Sequence, residues 1–425
     1  MKVLLFANVG TDYHGYYHVG DEAMFLEISH FYASNFPKAT VSALVSLPIH
    51  RNQKLIQRRG SGWPDKKLPA LKYFLTFNFK TLIWRKFGIS FFTEEQQSYI
   101  QFIQTQDFIH FTGGGNLSSE CEHWFYYALF VISTAKMLVK PVILTSQTIG
   151  PFSSWIDVFI ATRVLNTVDS ITLREHSDIQ EKNLKRLGIR HPRFLRSLDA
   201  AYFLPVSPEI SETSFRLKKK VLRIGLSLHE RENNAKVLEK ILNSALLPIT
   251  KKNTPVEILL LPHMLNQHDE WDTAFMQKLI KGLPATFSII IPTYTSLVNN
   301  KLEFATQIKA LTNTCNLVIS SRYHGVVFSL SQNVPCISIV DGEYQHIKNL
   351  EALRFLFDED AESFIIDAHD PEAKRKVQTL IRTTLKTLPQ IRKKLRSRNA
   401  ILQKEYQMYL NNLVQEIRKI HTSQV

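Results

Sequence analysis

Cysteine is scarce in this sequence: Cys121, Cys315 and Cys336 are the only three in 425 residues. Their odd number and lack of metal-ligand spacing argue against a disulfide framework or a zinc site, and each sits among apolar or helical neighbours where a reduced thiol packs well. Long apolar runs are missing as well. No stretch approaches the roughly 18 consecutive apolar residues of a membrane span, and the apolar start at residues 1–6 runs into Asn8 and Gly10 without a signal-peptide cleavage pattern. The chain therefore reads as cytoplasmic and non-spanning. No helix-turn-helix, zinc-finger or aromatic RNA-binding pattern accompanies the formal charge of +14, so nucleic acid is not an expected partner.

The excess positive charge is concentrated in two places. Residues 51–86 carry ten basic groups and one acid, Asp65; residues 371–425 carry thirteen basic groups against Glu372, Glu405 and Glu416, so the rest of the chain is mildly acidic. Between Arg51 and Phe87 the charges alternate with Leu71, Tyr73, Phe74, Leu75, Phe77, Phe79, Leu82, Ile83 and Trp84. That mixture suits peripheral contact with an anionic membrane, and it equally suits a helical insertion packed on its own domain with a solvated basic face.

Hydrophobic residues make up 44% of the chain, enough for ordinary cores. Apolar runs of strand length at 3–6, 108–111, 141–145 and 171–173 alternate with helical patterns, and a second series at 222–228, 258–261, 287–291, 317–319 and 336–340 does the same. Alternation of this kind implies βαβ units and parallel sheets. The expected architecture is α/β with two Rossmann-like, doubly wound domains. The N-terminal one spans 1–205 with a basic insertion at 51–95, a linker follows at 206–220, the C-terminal domain occupies 221–370, and basic helices interrupted at Pro389 fill 371–425.

In open parallel sheets ligands bind beyond the carboxyl ends of the strands, and the notable motifs stand there. Gly113, Gly114 and Gly115, followed by Asn116, would let backbone approach a ligand ahead of a helix N-terminus, although a glycine run is as often a tight turn. In the run Ser320-Ser321-Arg322-Tyr323-His324-Gly325, an extended chain would project Arg322 and His324 to one side, with Gly325 allowing a sharp entry into a helix near Val326. A guanidinium fork, an imidazole and a helix N-terminus suit a phosphate or carboxylate. The plainer alternative pairs Arg322 with an interdomain carboxylate and makes His324 a satisfied core histidine.

Taken in order, these runs resemble the polysaccharide pyruvyl transferase family: NVG and VGDEA near the start, TGGGN, SQTIGPF with Gln147, TLRE, DAAYFLP from Asp199, LPH ending at His263, SSRYHG, then Tyr344 and Lys348. The resemblance covers roughly residues 1–350. Ser146 stands where the family has a glycine, Tyr323 where leucine is commoner, and the DYHGYYH insertion precedes Gly20-Asp21. The resemblance implies a GT-B-like fold whose two domains face each other across a cleft, with the acceptor on the N-terminal side and phosphoenolpyruvate on the C-terminal side. It implies transfer of the pyruvyl group onto hydroxyls of a sugar in a cell-surface polysaccharide or its lipid-linked precursor, with no cofactor and no metal.

Phosphoenolpyruvate carries a phosphate and a carboxylate, for which Arg322 and Arg174 are the expected cations. Ser321 and Lys348 complete that expected set of substrate-binding residues with Gly113 to Asn116 and Gln147. The chemistry also needs an acid and a base. His324 is the expected general acid, with His263 and Glu175 in reserve, and Asp21 the carboxylate for the sugar hydroxyls. The helix N-cap for Asp21 and a first-turn acid for Glu22 are the competing structural roles. Two other functions fit the same architecture: a glycosyltransferase using a nucleotide-sugar donor, and a non-catalytic subunit of a glycan assembly complex.

Overall fold

The computed structural model describes residues 1–7, 9, 16–44, 63–64, 66–174, 179–190, 194–206, 221–229, 234–252, 255–266, 271–292 and 304–422. The strands of the first half are β1 (Lys2–Phe6), β2 (Tyr16–His18), β3 (Thr40–Leu44), β4 (Phe108–Phe111), β5 (Gly114–Leu117), β6 (Val142–Ile149), β7 (Ser170–Leu173) and β8 (Phe194–Arg196). Those of the second half are β9 (Leu222–Ser227), β10 (Val256–Leu260), β11 (Met264–Asn266), β12 (Phe287–Ile290), β13 (Leu317–Ser320), β14 (Cys336–Val340) and β15 (Ile365–Asp367).

Two parallel sheets result, as the alternation of strands and helices requires. One runs β3-β1-β4-β6-β7-β8, with β5 joined to β6; the other runs β12-β10-β9-β13-β14-β15. The central strands β4, β6 and β13 are buried along their whole length, which is why each opens on consecutive apolar residues rather than on an alternating pattern. Counting strands within each sheet, the first has the order 2-1-3-4-5-6 and the second 3-2-1-4-5-6. The winding direction reverses between β1 and β4 in one sheet and between β9 and β13 in the other, and these are the places where such sheets hold ligands.

The chain forms two compact units that are not contiguous in sequence. The first comprises 1–13, 24–200 and 406–425; the second comprises 14–23 and 201–405. Two segments therefore differ from a simple division near residue 205. Residues 14–23, with the VGDEA motif, belong to the second unit because β2 pairs antiparallel with β11, His18 opposite Met264 and Tyr16 opposite Asn266. Residues 406–425 belong to the first, where the Tyr406 hydroxyl donates to Glu27 and Leu413 and Ile417 are buried. The linker expected at 206–220 lies almost wholly outside the described residues.

The basic tail forms helices Ala373–Lys386 and Leu388–Thr422. Pro389 stands at the second position of the latter, where its missing N–H has no intrahelical role and its fixed φ suits the first turn. Among the described residues, no helix is long and apolar enough to cross a membrane.

Candidate active site

The second unit gathers the motifs most closely. At the carboxyl end of β9, Ser227 accepts hydrogen bonds at its carbonyl from Ser321 N (2.9 Å) and Ser320 Oγ (3.0 Å), which ties the end of β13 to its neighbour. The Ser227 hydroxyl lies 2.8 Å from His263 Nδ1, and Ser321 Oγ accepts from His229 N at 3.0 Å. These groups sit where the sheet reverses direction.

Arg322 and His324 come together differently from the expectation. The helix Tyr323–Ser331 begins two residues before Gly325, with Arg322 as its extended N-cap residue and His324 inside the first turn. Strand alternation therefore does not aim the two side chains. Gly325 lies within the helix, where a β-carbon would fall 2.6 Å from Ser227 Oγ. The Arg322 fork is engaged by a carboxylate of its own unit: Nε donates to Asp272 Oδ2 at 3.1 Å and Nη2 to Oδ1. The buried Asp272 also accepts from His263 N (3.0 Å) and Met264 N (2.9 Å), so one side chain fixes the arginine and the β10–β11 turn together.

His324 is pressed against the start of the helix Val19–Asn35. A β-carbon on Gly20 would lie 1.9 Å from His324 Nδ1, far inside contact distance, so residue 20 must be glycine for this ring to stand where it does. Val19 N donates to the His263 carbonyl at 3.0 Å and closes the same corner. Asp21 follows directly. Asp21 was expected at the mouth of the N-terminal domain, yet it stands in the second unit, one residue from the glycine under His324. Glu22 is fully buried and accepts from Ala305 N at 2.8 Å, capping the helix Phe304–Asn313, a structural role.

His263 is buried and its pKa is lowered to about 3, first by burial and then by the neighbouring His324. Its Nδ1 lies 3.0 Å from the Leu261 carbonyl and 2.8 Å from the Ser227 hydroxyl. Nε2 is buried as well. Nearby, the Lys348 ammonium stands over two rings, 4.9 Å from the centroid of Tyr323 and 5.1 Å from that of Tyr344. Tyr323, in the position where leucine is commoner, thus supplies half of an aromatic seat for that lysine.

The first unit holds the remaining candidates. Gly113 and Gly114 take φ of 112° and 127°, but they lead into β5 rather than into a helix. Gly114 pairs with Gln147 of β6, and the following helix, His123–Met137, begins eight residues after Gly115, so its N-terminus does not complete a glycine anion loop. Gly115 and Asn116 are half-buried within that strand. The Gln147 side chain is buried and donates to the Thr145 carbonyl at 3.0 Å. Arg174 is buried at the end of β7, with Nε on Thr148 Oγ1 (2.6 Å) and Nη1 on Asp199 (2.8 Å), so its charge is matched by the aspartate of the DAAYFLP run. Glu175 lies outside the described residues. Ser146 has φ of 51°, the left-handed region that favours glycine, at an irregularity in the β6–β7 register, and its hydroxyl donates to the Leu198 carbonyl at 3.2 Å.

Sequence reasoning missed Ser227, His229 and Asp272. Each ends or follows a strand or opens a helix beside the reversal point, a signal that exists only once the strand order is known.

Two parallel sheets wound in this way define a GT-B-like α/β protein. Solved structures of that kind are similar along nearly the whole chain: Anabaena HepE in complex with UDP-glucose (13% identity, 99% of each chain covered, TM-score 0.56) and a glycosyltransferase from Rickettsia africae (11%, 100% of this chain and 98% of that one, 0.54). A UDP-GlcNAc 2-epimerase from Methanocaldococcus jannaschii is also similar (15%, 91% and 93%, 0.51). At these identities the likeness is one of fold. Among curated proteins none matches the chain in sequence. The family model for polysaccharide pyruvyl transferase matches residues 18–342, and the chain belongs to that family, which makes it a transferase of polysaccharide biosynthesis.

Proposed function

We propose that the protein transfers the pyruvyl group of phosphoenolpyruvate onto two hydroxyls of one sugar in a cell-surface polysaccharide or its lipid-linked precursor, releasing phosphate. The observation that carries this reading is the convergence of VGDEA and SSRYHG, some 300 residues apart, on one corner of the second unit, with Gly20 under His324 and Asp272 holding Arg322. Arg322 is the N-cap residue of the helix Tyr323–Ser331, and in this reading its guanidinium, oriented by Asp272, turns its remaining N–H groups to a phosphate or carboxylate.

In the reaction an acid protonates the methylene carbon, and the oxocarbenium-like carbon beside it is attacked by one sugar hydroxyl, whose proton restores the acid. A second hydroxyl then displaces phosphate, its proton leaving with the phosphate, and the ketal closes. His324 is the acid in this scheme. The neutral His263 orients a sugar hydroxyl or a phosphate oxygen by hydrogen bonding in this scheme. Asp21 accepts a hydrogen bond from a sugar hydroxyl in this scheme. Arg174, already matched by Asp199, contributes to the end of β7 in the first unit more than to net charge at a ligand.

Ligand-dependent thermal stability tests the donor, since a ligand that binds only the folded state raises the melting temperature. Phosphoenolpyruvate should stabilise the protein and UDP-glucose should not. The reverse pattern would replace this reading with a nucleotide-sugar glycosyltransferase.

A further inference from the structure

The helix Lys67–Phe87 carries two apolar rows and uses one. Its inward row, Ala70, Phe74, Phe77 and Thr81, is buried against the helix His123–Met137, where the rings of Phe77 and Phe130 meet at 4.8 Å and Ser133 donates to Asn78 at 3.2 Å. Those contacts fix which way the opposite face looks. Along that face Leu68, Leu75, Phe79 and Leu82 are each more than half exposed. Together with Lys72 and Lys86 they form a continuous row at steps of four and three residues. Phe87, Ile89 and Phe91, also more than half exposed, extend the apolar surface beyond the helix end at Gly88.

The charge on this face selects its occupant. From residue 66 to residue 93 there are six basic groups and no acid. Lys67 is turned to Asp157 and Lys80 reaches Gln96, whereas Lys66, Lys72, Arg85 and Lys86 are exposed. A second copy of the chain docking through the same face would set its lysines against like charges, with no carboxylate in the segment to answer them. An anionic bilayer answers both features, taking the apolar side chains into the acyl boundary and the cations among its head groups.

We propose that the outer face of this helix and the loop after it form a docking surface for an anionic membrane, with the helix lying flat in the interface. The proposal stands on the first unit alone and does not depend on the reaction proposed above. The experiment is cosedimentation of the full-length protein with vesicles of phosphatidylcholine and phosphatidylglycerol in equal parts, beside vesicles of phosphatidylcholine alone, at low and high salt. Wild-type protein should pellet with the mixed vesicles at low salt and stay in solution with the neutral ones. The double variants Leu75→Asp/Phe79→Asp and Lys72→Glu/Lys86→Glu should each weaken partitioning at least about tenfold, while melting temperature and circular dichroism stay at wild-type values because all four side chains are exposed. Wild-type protein left in the supernatant with both vesicle types overturns the proposal, as does equal binding to both. Self-association that Leu75→Asp/Phe79→Asp disperses, in a protein that ignores vesicles, overturns it in favour of a second copy.

Discussion

At the residue scale, the structure turns sequence oddities into constraints that can be measured. Ser146 adopts a backbone conformation costing a non-glycine residue about 1 kcal/mol or more, and its hydroxyl bond to the Leu198 carbonyl returns about the same. Ser146→Gly should therefore leave stability near wild type, whereas Ser146→Ala, which keeps the strain and loses the bond, should cost about 1 kcal/mol by denaturant unfolding; equal stabilities for the two variants would contradict this account. Gly20→Ala forces the His324 ring out of place, so turnover should fall by more than tenfold, and a variant with normal turnover would remove His324 from the mechanism. Arg322→Lys loses the two-pronged grip on Asp272 and should raise the KM for phosphoenolpyruvate. The motifs at this corner were legible as residue types in order. Their partners were not: nothing in the sequence says that Asp272 takes Arg322, or that Asp21 joins the half of the chain that carries His324.

Among elements, the fold was legible where burial on both faces lets apolar residues stand side by side, as in β4, β13 and β14, and also in β12, whose apolar residues are partly exposed. The short strands β2, β8, β11 and β15 escaped because three residues show no period and their existence depends on a partner far away in sequence. The helix Trp155–Leu165 shows how elements are bound together by one side chain. Asp157, fully buried, accepts from Lys67, Ser119 and Tyr126 and so links three other segments; burial pushes its pKa up, but those hydrogen bonds outweigh it and bring it down to about 2. Removing a carboxylate with that many buried donors should cost about 3 to 4 kcal/mol in Asp157→Ala, against no more than about 1 kcal/mol for Lys67→Ala, whose partner keeps its other donors. Chemical denaturation of both variants gives the comparison, and similar losses would mean that the lysine, not the hub, holds these helices.

For the whole molecule, two buried histidines set the response to acid. His110, bonded through its ring nitrogens to Tyr32 and Thr145, has a pKa lowered by burial to about 3, as has His263. Unfolded histidine titrates near 6.5, so between that pH and 3 the unfolded chain binds more protons, and stability should fall as pH drops through this window by about 1.4 kcal/mol per unit for each ring. Replacing His110 with glutamine should flatten the slope of melting temperature against pH; an unchanged slope would assign it to carboxylates. Tyr406, Leu413 and Ile417 are buried in the first unit, and three such side chains are worth about 5 to 8 kcal/mol, comparable with the whole stability of a domain. The interleaving of the two units also has a consequence for the order of events on the ribosome. A nascent chain grows at about 5 to 20 residues per second, so the first unit waits roughly 10 to 40 seconds between the emergence of residue 200 and that of the segment from Tyr406 that completes it, while residues 14–23 wait comparably long for their partners in the second unit. Neither half can finish while the other is unmade, and nascent chains halted near residue 205 should remain protease-sensitive throughout.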